Sequence, residues 1–153
     1  MKDRIIYSEI PDEGPLIRFF IDNGLEYSED DEIATDLVKC WKAEAAPEEG
    51  TVNLIGGCAL AKRQGRFICD GIATDPAVRG RGIGERLLRM MIDEARRQGA
   101  DAIYLVARAP GFFARYGFVA VTREEAPTFF ECFSCPQYGI SCRPEVMRLA
   151  LDN

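Results

Sequence analysis

The 153-residue chain contains no histidine. Its absence excludes Ser-His and Cys-His nucleophilic relays, imidazole general bases and imidazole metal ligands together. Proton transfer is left to carboxylates, tyrosine, cysteine or water. No run of about 18 apolar residues occurs either, so no membrane-spanning helix is expected. Met1-Lys2-Asp3-Arg4-Ile5-Ile6 lacks the apolar core of a secretory signal, and a cytoplasmic location is the expectation. Basic charge is in deficit: 19 Lys and Arg stand against 25 Asp and Glu, a net −6, which argues against a general nucleic-acid binder. Lysine stops at Lys62, and every later basic residue is arginine, the side chain best matched to phosphate; compositional bias is the plainer explanation. The charge is also uneven. Residues 1–75 hold 8 basic and 16 acidic side chains, residues 76–153 hold 11 and 9.

What remains is ample for a core. With 47% hydrophobic residues the chain is expected to form one domain over 1–153. Ile5 to Ser8 reads as a strand, and Pro11 to Pro15 opens a helix with Leu16, Ile17, Phe19, Phe20 and Ile21 on a broad apolar face, stopped by Asn23-Gly24. An acidic loop at Glu26 to Glu32 leads into a short helix over 31–35. Strands follow at Leu37 to Ala45, Thr51 to Ala61 and Arg66 to Thr74, with Gly56-Gly57 marking a bulge or a close backbone approach. Glu85 to Gln98 is an amphipathic helix that buries Ile83, Leu87, Leu88, Met91, Ile92 and Ala95 and ends at Gly99. A strand at Ala102 to Ala107, a brief helix at Pro110 to Tyr116, a strand at Phe118 to Val121 and a last strand at Val146 to Leu151 complete a mixed α/β pattern.

Between the strand ending at Thr74 and the long helix stands Arg79-Gly80-Arg81-Gly82-Ile83-Gly84. Its glycines remove Cβ atoms where strand turns into helix, so backbone N–H groups can converge on an anion beside the positive end of the helix. The pattern is not a phosphate-binding Gly-Lys-Ser/Thr loop, because no such ending exists. It also fails the dinucleotide fingerprint, whose third glycine position holds Glu85.

It fits the acetyl-CoA-binding pattern R/Q-x-x-G-x-G/A, and here the chain resembles the GNAT superfamily of N-acetyltransferases. The likeness includes Ile72-Ala73-Thr74-Asp75-Pro76 before the loop and Phe112-Phe113-Ala114-Arg115-Tyr116-Gly117-Phe118 about 30 residues after it, the latter similar to the family's second signature. The resemblance implies a central, mostly antiparallel sheet splayed at the cofactor site and flanked by helices. It implies that Arg79, Gly80, Arg81, Gly82, Ile83 and Gly84 hold the coenzyme A diphosphate. Ile72, Ala73 and Thr74 would pair with the pantetheine arm, and divergence of their strand from Ala102 to Ala107 would open a slot for the acetyl group. Arg115 would either meet the cofactor phosphates or lie solvated on its helix.

Acetyl transfer to an amine needs a base for the amine, a donor for the developing oxyanion and a proton for the departing thiolate. In many members of the family a tyrosine four residues before the glycine of Gly-Phe serves as acid; here that position is Phe113. Tyr116 lies nearly a turn away and is either the acid or an aromatic packed beside Phe118. Asp70 is the candidate base. Without a bulge, strand alternation puts Arg66, Ile68, Asp70 and Ile72 on one face. An aspartate inside an apolar strand should be functional or paired, here with Arg66 or another arginine. The acidic residues Glu26, Glu29, Asp30, Asp31 and Glu32 would attract a cationic amine or simply form a solvated, helix-capping run.

Six cysteines in a chain of this kind argue for reduced thiols or a metal, not for a disulfide framework. Cys132, Cys135 and Cys142 follow a Cys-x2-Cys-x6-Cys spacing, good geometry for a tetrahedral zinc site or an iron–sulfur edge. They are one thiolate short of a closed shell, so Cys40, Cys58, Cys69 or Glu131 would have to complete it. Structural thiols and a redox pair at Cys132 and Cys135 are the other readings. The tail also resembles a cysteine-bearing segment of some short amino-acid N-acetyltransferase-like members. The resemblance as a whole implies an acetyl-CoA-dependent N-acetyltransferase acting on a small amine, an amino acid being one candidate, with no nucleic-acid or membrane partner and with the homodimer common in the family. The alternative is a non-catalytic acyl-CoA-binding module with a metal- or redox-sensing tail.

Overall fold

The computed structural model describes residues 4–23, 36–47, 50–78, 80–107, 110–121 and 145–151. The elements run β1 (Arg4–Ile10), α1 (Gly14–Asp22), β2 (Asp36–Ala46), β3 (Asn53–Arg63), β4 (Arg66–Thr74), a 3₁₀ turn (Pro76–Val78), α2 (Ile83–Arg97), β5 (Ala102–Ala107), α3 (Pro110–Ala114), β6 (Val119–Ala120) and β7 (Glu145–Ala150). The expected helix over 31–35 lies outside the described residues. Among the described residues seven strands form one sheet in the order β1-β2-β3-β4-β5-β7-β6, antiparallel except for the β4–β5 pair. Among the described residues no helix is long and apolar enough to cross a membrane.

The local chemistry explains the elements. α1 starts with proline in its first turn and stops at Asn23, whose side-chain amide donates to the Phe19 carbonyl at 2.8 Å. β3 and β4 join through Gln64 (φ 52°) and Gly65 (φ 79°), two consecutive left-handed residues whose twist matches the flanking strands. α2 turns Ile83, Leu87, Leu88, Met91, Ile92 and Ala95 onto one side of the sheet, against Trp41, Cys58, Leu60, Phe67, Cys69, Ile103 and Leu105. α1 places Leu16 and Phe20 on the opposite side, against Cys40 and Ala59.

Both halves of the glycine-pair expectation hold. Ile55 is the extra residue of a bulge in β3, and the two glycines beside it admit a helix on each side of the sheet. A Cβ on Gly56 would come within 3.0 Å of Leu87, and one on Gly57 within 2.7 Å of Leu16.

Glu94 faces inward near the end of α2 and is 5% exposed. Lys39 Nζ reaches it at 3.1 Å and Glu9 at 3.0 Å, while Gln98 donates to its other oxygen at 2.8 Å and Arg97 pairs with it from the next turn. Burial alone would raise this carboxyl; the hydrogen bonds from Gln98, Lys39 and Arg97 outweigh it and hold the group below its ordinary value. The cluster pins β1, β2 and α2 together.

Candidate active site

The glycine loop sits where the sequence reading put it, between β4 and α2. Asp75 accepts from the Ala77 N–H at 2.9 Å, and its own N–H is bound by the Ile55 carbonyl of the β3 bulge at 2.8 Å. Gly80 (φ 89°) and Gly82 (φ 76°) both occupy the left-handed region, and Gly82 is the N-cap of α2. A Cβ on either would meet nothing within 4 Å, so backbone conformation, not space, requires glycine. Among the described residues no side chain caps the helix, which leaves the N–H groups of its first turn directed outward. Arg81 is exposed at this loop, and Arg79 lies outside the described residues. Ile83, by contrast, is buried in the core at 3% exposure and can contribute only its backbone. A Cβ on Gly84 would stand 3.3 Å from the Phe112 ring, so that glycine permits close approach of α3. Glu85, the residue that disfavours a dinucleotide, is drawn along the helix by Arg89 at 2.9 Å.

β4 leads into this loop. It pairs with β5 only at Phe67–Ile103 and Ile68–Tyr104, and from Cys69 onward no β4–β5 pair exists. Just beyond, Ala59 pairs with Gly71 and Leu60 with Cys69, so Asp70 is the extra residue of a bulge. This corrects the alternation expected from sequence. Ile68 packs with Ala61, Tyr104 and Val146, whereas Ile72 packs with the α2 core on the other side of the sheet. Asp70 therefore does not share a face with Ile72. Its partner is Arg63 of β3 at 3.8 Å, both side chains 12% exposed, and not Arg66. Arg66 instead donates to the Tyr104 hydroxyl at 3.2 Å. Ile72, Ala73 and Thr74 are all partly buried and run from the bulge toward the glycine loop.

α3 settles the aromatic positions. Phe113, at the position of the family's tyrosine, is 8% exposed and packs edge-on against Phe112 and Phe118 at 5.1 and 5.7 Å between centroids. Tyr116 does not pack on Phe118 in this way; its ring meets Phe112 at 5.3 Å and lies under the guanidinium groups of Arg89 and Arg115, each 5.8 Å away. Arg115 also covers Phe112 at 5.6 Å, so it stands beside the α2 N-terminus by way of Phe112 and Gly84.

Cys132, Cys135, Cys142 and Glu131, together with the acidic stretch Glu26 to Glu32, fall outside the described residues. Of the proposed partners of the tail thiols, Cys40, Cys58 and Cys69 are buried and form no disulfide among the described residues. Burial, with Glu13, Asp12 and Glu9 nearby, pushes the Cys40 thiol up to about 11, and it donates to the Ile10 carbonyl at 3.3 Å. Burial, reinforced by a hydrogen bond to Cys69, pushes Cys58 well above the usual thiol range.

Sequence reasoning passed over Arg63 and Arg148. Both are charged residues in apolar strands, the signal that singled out Asp70, and Arg148 in Val-Met-Arg-Leu-Ala could have been found the same way.

A family model described as the acetyltransferase (GNAT) family matches residues 9–118. Glucosamine 6-phosphate N-acetyltransferase 1 of Oryza sativa subsp. japonica is 36% identical over 52 residues, covering 33% of this chain and 32% of that protein. The chain thus matches about a third of that curated relative. Among solved structures, N-acetylglutamate synthase from Neisseria gonorrhoeae, complexed with coenzyme A and N-acetyl-glutamate, superimposes with a TM-score of 0.69 at 20% identity, over 100% of this chain and 36% of the other. An acetyltransferase of the same family from Staphylococcus aureus Mu50 gives 0.69 at 18% identity, over 97% of this chain and 100% of its own. At these identities the structural likeness concerns the fold.

Proposed function

Because this chain belongs to the acetyltransferase (GNAT) family, we propose that it transfers an acetyl group from acetyl-CoA to the primary amine of a small molecule, amino acids being among the candidate acceptors. The amine attacks directly in a ternary complex, with no acyl-enzyme. The observation that carries this reading is the uncapped start of α2, opened by left-handed Gly82, set at the end of a strand that parts from β5 after two residue pairs. A bent, Cβ-free backbone with outward N–H groups fits a diphosphate. The gap beyond Ile68 and Tyr104 fits an extended arm lying along β4.

Acetyl-CoA supplies the activated acyl group; the chain's own residues position and deprotonate. The backbone of Gly80, Arg81, Gly82, Ile83 and Gly84, with Arg79, holds the diphosphate, and Arg115 stands beside it. The free edge of Ile72, Ala73 and Thr74 orients the arm. Asp70, on the same face as Ile68 and steadied by Arg63, accepts the proton that the ammonium must lose. Tyr116 is the remaining candidate donor to the departing sulfur, since Phe113 has no proton to give.

A second reading, a non-catalytic acyl-CoA-binding module, is favoured by the buried phenylalanine at position 113. Free-thiol release across a panel of amines separates the two. The enzyme reading expects turnover on at least one amine and a fall of about 10²–10⁴ in kcat for Asp70→Asn, with thermal unfolding showing that the variant is folded. Tight acetyl-CoA binding with no turnover on any amine would establish the module instead.

A further inference from the structure

The side of the sheet that carries Asp70 has a second polar group that the reaction above does not use. Antiparallel partners project to the same face, and Arg148 of β7 pairs with Tyr104 of β5, which packs with Ala61, Ile68 and Val146. Arg148 is partly buried, and its Nε is fully buried with no hydrogen-bond partner among the described residues. A guanidinium is a permanent cation, and one of its bidentate edges runs through Nε. A buried, unmatched donor on that edge is costly unless an acceptor meets it.

The surroundings are cationic. Among the described side chains of β3 to β7 on this face, the guanidinium groups of Arg63, Arg66 and Arg148 face the single carboxylate of Asp70. That is an unusual patch on a chain of net charge −6. Arg63 is engaged with Asp70, and Arg66 leans on Tyr104, its guanidinium 5.7 Å from the ring. Arg148 lies level with Tyr104 and Ile68, where β4 and β5 begin to part. Two strand spacings of about 4.8 Å and two residues of about 3.3 Å rise separate its Cα from that of Asp70 by about 12 Å.

We propose that the acceptor amine carries an oxyanion, a carboxylate or a phosphate, which Arg148 grips through its Nε edge with Arg66 at the rim, while the amine is presented to Asp70. The proposal rests on the acetyltransferase reading and adds the substrate class. Recognition by a buried guanidinium fork rejects a neutral analogue strongly, because the donor is then left unmatched.

The test compares matched pairs by thiol release: L-amino acids against their amides, and amino-sugar phosphates against the free amino sugars. A cationic polyamine serves as a third class. One anionic member is expected to exceed its neutral counterpart at least about 100-fold in kcat/KM, and which pair responds distinguishes carboxylate from phosphate. Arg148→Gln should collapse that ratio mainly through KM, Arg148→Lys should recover part of it, and Arg66→Gln, at an exposed position, should narrow it without threatening the fold. Equal rates on neutral and anionic members, preference for the polyamine, or an unchanged ratio in Arg148→Gln and Arg66→Gln would overturn the proposal and leave the acetyltransferase standing. No thiol release from any amine would overturn both.

Discussion

Gly82 to alanine isolates the loop proposed to hold the diphosphate. Its φ of 76° lies in the left-handed region, where an L side chain costs roughly 1–2 kcal/mol. A Cβ there meets nothing within 4 Å, so no clash confounds the change. The variant has two ways to respond. If the loop keeps its shape, the strain appears as lost stability, about 2–8 °C in melting temperature for a chain of this size. If the loop relaxes to negative φ, the N–H groups at the start of α2 turn away and coenzyme A affinity falls about tenfold for each 1.4 kcal/mol forfeited. Gly65 supplies the control: its φ is 79°, its Cβ would also meet nothing, and it sits in the β3–β4 turn. Gly65→Ala should lose comparable stability and keep wild-type affinity. Calorimetric titration with coenzyme A and thermal unfolding of both variants read the two quantities separately. A Gly82→Ala variant that keeps wild-type stability, the sign of a relaxed loop, and still binds coenzyme A as the wild type does would refute the assignment of the loop.

Three further outcomes are expected. Tyr116→Phe should lower kcat about 10²–10⁴-fold if the hydroxyl protonates the leaving sulfur; steady-state rates equal to wild type would reduce Tyr116 to its packing against Phe112, Arg89 and Arg115. Gly71→Ala should destabilise by about 1–3 kcal/mol in urea unfolding, because the new Cβ would lie 2.8 Å from the rigid Phe20 ring; an unchanged midpoint would mean that α1 can slide aside. Glu94→Gln should cost about 1–2 kcal/mol at pH 7 by weakening charge-assisted hydrogen bonds. Because the folded-state pKa of Glu94 is lowered, its contribution is complete above the ordinary glutamate value near ~4.3 and is lost as pH falls through the folded value. The gap between variant and wild type should therefore narrow below about pH 5, and a constant gap would show that the charge is immaterial.

Local chemistry made much of this protein legible in one dimension. The apolar period of residues 83–95, the turn at Gln64-Gly65 and the glycines ahead of α2 all act within one or two turns of chain, so spacing alone revealed them. Asp70 announced itself as a charge in an apolar strand for the same reason. Its side of the sheet relative to Ile72 did not. A single bulge moves every later side chain of β4 to the opposite face, and that bulge arises from pairing with β3, which local sequence does not encode. The inward turn of Glu94 depends on Lys39, 55 residues away, and the unmatched edge of Arg148 on what β5 and β7 bring beside it. Spacing of residue types settled where the glycine loop proposed for the diphosphate stands; only long-range strand pairing decided which charges share the face proposed for the acceptor, because burial and partnership belong to neighbours in space and not in sequence.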